Sequence, residues 1–121
     1  MPKKIVITGM GINSSIGNTV GEHFYALTHR QAGISRIENV ETIHGDHIKV
    51  GEIKRTNAEL ITALRLPEVN AYSRTSLLGI IALQEAIANA GLTSPHSLRT
   101  HYGFHRGGYG YDRKLFLPLW R

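Results

Sequence analysis

Hydrophobic and polar positions along the 121-residue chain change period several times, and each change marks an element. Residues 3–8 gather Ile5, Val6 and Ile7 into a β-branched run that stops at Gly9, the pattern of a buried strand opening an α/β unit. Residues 9–17 read as a loop, rich in Gly, Asn and Ser, which favour turns. Asn18 or Thr19 can cap a helix, with Glu22 three residues after Thr19 as a capping box requires. Val20, Phe24 and Leu27 then share one face, and the helix is expected to end near Gly33 in a left-handed C-cap.

Residues 34–56 are mixed, with a strand expected over 47–53 from Ile48, Val50 and Ile53, weakened or bulged at Gly51. A short helix is predicted over 57–64, ahead of the break at Pro67. The clearest periodicity predicts a helix over 74–90, introduced by Ser73 and closed by Gly91. Leu77, Leu78, Ile80, Ile81, Leu83, Ala86 and Ile87 cover more than half of its circumference, with Ala82, Ala88 and Ala90 filling gaps. A helix so broadly apolar calls for burial between layers.

Composition narrows the class. A hydrophobic fraction of 41% with 19% charged residues suits a soluble globular chain of one domain or less. No apolar run approaches the roughly 18 residues of a membrane span, and the run at 5–7 is too short for a secretory signal, so a cytoplasmic location is expected. There is no cysteine, which removes disulfides, Cys-ligated metals and a cysteine nucleophile. The net charge of +5 is concentrated late: residues 1–98 hold nine of the fourteen Lys and Arg and eight of the nine Asp and Glu, leaving +4 in residues 99–121.

Three patterns invite chemistry. Gly9 and Gly11 supply two glycines of G-x-G-x-x-G after a strand, but Ser14 stands where close helix packing needs the third, so a structural strand-to-helix turn is expected rather than a phosphate site. His44/His47 and His101/His105 have metal-like spacings without Cys nearby, and Gly103, Gly107, Gly108 and Gly110 discourage a helix around the second pair. These are expected to be solvated loop histidines, with no metal and no cofactor. The tail interleaves Arg106, Arg113 and Lys114 with Tyr102, Tyr109 and Tyr111, superficially like a nucleic-acid segment, though so few basic residues fit a disordered or accidental end better.

In order along the chain, Lys4-Ile5-Val6-Ile7-Thr8-Gly9-Met10-Gly11 resembles the opening "R-V-V-I-T-G-M-G" of β-ketoacyl-[acyl-carrier-protein] synthases. Ser14-Ser15-Ile16-Gly17-Asn18 resembles their "S-P-L-G" turn, and Ala32-Gly33-Ile34-Ser35-Arg36-Ile37 their "S-G-I-S-x-I". Tyr72-Ser73-Arg74 with Glu85-Ala86-Ile87-Ala88-Asn89-Ala90-Gly91-Leu92 resembles "F-S-R…A-x-E-A-L-x-D-A-G-L". Four segments in register over residues 3–100 make the resemblance specific.

The resemblance implies an α/β, thiolase-like fold of α-β-α-β-α layers, of which this chain would hold an incomplete N-terminal part, with the 74–90 helix between two sheets. It implies an acyltransferase of fatty-acid or polyketide-type synthesis that joins an acyl thioester to malonyl-carrier protein by decarboxylative Claisen condensation. The partners implied are acyl carrier protein and a second subunit of a homodimer, with no membrane and no nucleic acid. The family's nucleophilic Cys and its two His lie beyond the matching segments, so no catalytic residue is assigned here, and the chain is expected to be inactive alone. With one face of its central helix uncovered, it should aggregate or remain loosely packed. Residues 1–100 are thus taken as synthase and 101–121 as an aberrant tail. A shifted reading of the tail's codons can give Gly-Phe-Ile and Gly-Gly-Met-Asp, the pattern of a frameshift. The competing expectations are a non-catalytic protein that pairs with a full-length synthase or carrier protein and, last, a small nucleic-acid binder acting through the tail.

Overall fold

A computed structural model describes residues 2–92 of the chain. They form three helices and a two-stranded sheet in the order α1 (Val20–Thr28), β1 (Ile34–Arg36), β2 (Lys49–Gly51), α2 (Asn57–Ala63) and α3 (Arg74–Asn89). Each helix starts on a hydroxyl cap: Thr19, Thr56 and Ser73 accept from the backbone N–H of Glu22, Glu59 and Ser76. At α2 the capping box is complete, because the Glu59 carboxylate also accepts from Thr56 N at 2.6 Å.

The helices also end alike. Arg30 (φ 55°), Arg65 (φ 53°) and Gly91 (φ 66°) take the left-handed conformation just past each C-cap. Gln31 N donates to Ala26 O at 2.8 Å and Leu66 N to Ile61 O at 3.1 Å, the outer bonds of two Schellman motifs. The first helix therefore ends at Thr28 with Arg30 as its left-handed residue, short of the Gly33 expected from the sequence. Gly33 serves a close approach instead: a Cβ there would lie 2.6 Å from Ile16 Cγ2 and would also strike Ser15 Oγ.

Helices α2 and α3 pack together, and Leu60, Leu64, Leu77, Ile80 and Ile87 are buried with Ala26 of α1. Each fully buried leucine or isoleucine contributes at most about 1.5–3 kcal/mol. The inner face of α1 is not the Val20, Phe24 and Leu27 face expected from the sequence. Phe24 and Leu27 are 70% and 67% exposed, and His23 and Ala26 point inward.

The strands β1 and β2 are antiparallel, with Ile34 opposite Gly51, Ser35 opposite Val50 and Arg36 opposite Lys49. The second lies inside the expected 47–53 strand and stops at Gly51. The strand expected at 3–8 forms no ladder: Ile5, Val6 and Ile7 are 97%, 71% and 84% exposed. Extended backbone becomes a strand only when a neighbour takes its N–H and C=O groups, and among the described residues none lies beside it. On α3, Leu78, Ile81, Ala82 and Leu83 are half-buried. No helix among the described residues is long and apolar enough to cross a membrane.

Candidate functional site

The loop that enters α1, together with Val20 at the helix start, makes the hydrogen bonds of greatest sequence separation among the described residues, all of them to α3. Its first glycines lie against α3. A Cβ on Gly11 would strike Ala82 O and sit 2.7 Å from Ala86 N, and one on Gly9 would strike Ala86 O and sit 2.6 Å from Ala90 N. Ala82, Ala86 and Ala90 are spaced by four and so share one helix face. The two glycines thus let backbone rest on a stripe of alanines, where any side chain would collide.

Past Gly11 the loop is pinned by side chains. Asn13 Nδ2 donates to Leu78 O at 2.8 Å. Glu85 of α3 accepts from Ile12 N at 2.9 Å and from Val20 N at 2.7 Å, one carboxylate oxygen for each. The second bond places a negative charge on an unpaired amide at the α1 N-terminus, where the helix dipole favours it. Glu22 turns back to accept from Asn18 N at 2.6 Å. The position where a G-x-G-x-x-G loop would hold pyrophosphate is therefore taken by two carboxylates, which also repel an anion. Gly9 and Gly11 serve close backbone approach to α3.

Beside this lies a second arrangement. His23, 8% exposed, places Nε2 2.6 Å from Ser14 Oγ and Nδ1 2.7 Å from Thr19 O. A carbonyl oxygen only accepts, so Nδ1 carries the proton; in the neutral ring Nε2 then accepts from the Ser14 hydroxyl. The same oxygen accepts from Ile16 N at 3.3 Å, and a bridge between Ser14 and Gly17 closes the turn. The sequence places Glu85 in a family-like segment without assigning it a role, and it places His23 in no motif. The available signals were a carboxylate on the alanine face of α3 and a histidine three residues before Ala26.

Elsewhere, His44 and His47 share a turn in which His47 N donates to His44 O at 2.9 Å, and His29 stacks on Tyr25 with ring centroids 3.9 Å apart. No group of three or more potential metal ligands occurs among the described residues. His101/His105 and the basic, tyrosine-rich tail lie outside the described residues. An open groove of about 400 Å³ runs between the hairpin and α3, lined by Ile37, Val40, Val50 and Leu78 with Glu52 and Arg74 at its edges. The Arg74 guanidinium is engaged by Asn57 Oδ1 and Ile53 O at 2.9 and 2.7 Å. Backbone N–H donation from Glu38, then from Asn39, and the Lys54 ammonium hold the Glu52 carboxyl below the usual carboxylate range against its desolvation. Glu38 in turn holds the Lys54 ammonium above its ordinary value, with Nζ 2.8 Å from the Glu38 carboxylate.

The β-ketoacyl synthase N-terminal domain model matches residues 2–113. The chain belongs to the β-ketoacyl synthase family. The match continues past Thr100, where the resembling segments stop, and into the tail. The chloroplastic 3-oxoacyl-[acyl-carrier-protein] synthase II of Arabidopsis thaliana is 30% identical over 91 residues, which make up 75% of this chain and 16% of that protein. The chain thus spans a small part of the length of that curated relative. No solved structure matches it. The alanine stripe, the Gly9 and Gly11 contacts and the Glu85 tether are the internal bracing of this β-ketoacyl synthase segment.

Proposed function

We propose that residues 2–92 are a bracing part, without the condensing residues, of a β-ketoacyl synthase, an acyltransferase of fatty-acid or polyketide-type synthesis that condenses an acyl thioester with malonyl-carrier protein. The reading rests on the family match combined with one fact of composition: the 121 residues contain no cysteine to carry the acyl thioester. The loop before α1 supports it, since its glycines and its helix N-terminus are used up by contacts to α3 and leave no room for a substrate phosphate. Acyl carrier protein and a second synthase subunit are the partners this reading names. The test is to mix the purified 121-residue chain with acyl- and malonyl-carrier protein and look for 3-oxoacyl product by mass spectrometry. No product is expected; turnover above a no-protein control would overturn the reading.

A second reading draws on the exposed Ile5-Val6-Ile7 run, which suits addition to another protein's sheet. On this reading the chain pairs with a full-length synthase or carrier protein without catalysing. Co-purification that is lost in Val6→Lys would favour it.

A further inference from the structure

We propose that Ser14 is an acyl-accepting nucleophile with His23 as its general base, a site separate from the condensing chemistry and independent of the family reading. The pair has the parts such a site needs: a hydroxyl, a base within hydrogen-bond reach, and a third group that fixes the base. Ser14 Oγ lies 2.6 Å from His23 Nε2, and Thr19 O, 2.7 Å from Nδ1, sets the tautomer that leaves the Nε2 lone pair facing the hydroxyl. His23 is buried, which holds the ring in place, whereas Ser14 is half-buried and keeps some access to solvent. The Ile16 N–H also donates to the Ser14 oxygen, at 3.3 Å, which holds the hydroxyl in place within the turn.

Among the described residues His23 pairs with Ser14 Oγ and Thr19 O. His23 lies on the inner face of α1, in line with Ala26, where an apolar residue would pack without needing two polar partners. Glu85 and Glu22 stand at the same helix terminus, but both Glu85 oxygens and Glu22 Oε2 accept from the Ile12, Val20 and Asn18 amides. The substrate class is a small activated ester. Ser14 Oγ attacks the acyl carbon, the new Oγ–C bond forms, and the bond from that carbon to the leaving oxygen breaks. The Ser14 proton passes through His23 Nε2 to the departing alkoxide or phenolate, so atoms and charge balance with no further reagent.

The experiment uses the full 121-residue chain with p-nitrophenyl acetate, following nitrophenolate release and locating the acetyl group by peptide mass spectrometry. An acetyl group on Ser14 is expected, absent in Ser14→Ala and formed at least about 100-fold more slowly in His23→Gln, the size of a general-base contribution. His29→Gln, an exposed histidine outside the pair, should label at the wild-type rate. Circular dichroism of each variant separates loss of the base from loss of the fold. Several results would overturn the proposal: no Ser14 adduct on the wild-type chain, whether its helices are present or not; equal labelling of folded His23→Gln; or acetylation confined to lysines.

Discussion

At the scale of single residues, close approach and carboxylate tethering dominate. Gly11→Ala forces a methyl group into the Ala82 carbonyl and should cost about 1–3 kcal/mol through overpacking. Gly79, also a glycine, lies on the exposed side of α3 with nothing within 4 Å of a Cβ, so Gly79→Ala should stabilise by about 0.5–1 kcal/mol. The two substitutions add the same atom and are expected to move the urea midpoint of the helical signal in opposite directions. Glu85→Ala leaves the Ile12 and Val20 amides without their acceptor, and about 1–3 kcal/mol should be lost. From sequence Glu85 stands in a family-like segment without an assigned role. Its role depends on a contact 65 residues away along the chain, which no local pattern carries.

At the scale of elements, the caps explain both what was legible and what was not. Ser73 and Gly91 bounded α3 because a hydroxyl N-cap and a left-handed glycine are written in residue type. The end of α1 was misplaced because Arg30 takes the left-handed position, where residue type gives no warning. Arg65→Gly, at the equivalent point after α2, should raise stability by up to about 1 kcal/mol, the left-handed penalty relieved less the extra chain entropy of glycine. Thr56→Ala at the other end of α2 removes the cap and should cost about 0.5–2 kcal/mol. The Thr56 N–H and hydroxyl also hold the Glu59 carboxyl below its ordinary value, as the Glu38 amide does for Glu52. A lowered carboxyl pKa in the folded state adds stability above the unfolded value, and this is lost as pH falls through the folded one. Urea midpoints should therefore drop on acidification below the usual carboxylate range, and drop less in Glu52→Gln and Glu59→Gln. The raised Lys54 works the other way, and its contribution fades only above the ordinary lysine range.

At the scale of the molecule, the helical half of the α/β reading has its elements in the described residues, while the strand at 3–8 lacks its sheet. Its apolar pattern was real, but a pattern does not provide a neighbour, and three consecutive β-branched residues stand in solvent. Such an unprotected run is a template for association. The chain should self-associate at micromolar concentration in sedimentation experiments, and Val6→Lys should reduce this without changing helical content.

The central claim, that residues 2–92 brace a β-ketoacyl synthase, is tested most directly by grafting them in place of the matching segment of an active family member and measuring its condensation rate. If the glycine–alanine contact and the Glu85 tether are the family's bracing, the chimera should fold and condense within about tenfold of its host, a change of roughly 1.4 kcal/mol in the barrier. A chimera that keeps the host's secondary structure yet makes no 3-oxoacyl product, or one that does not fold, would contradict the account.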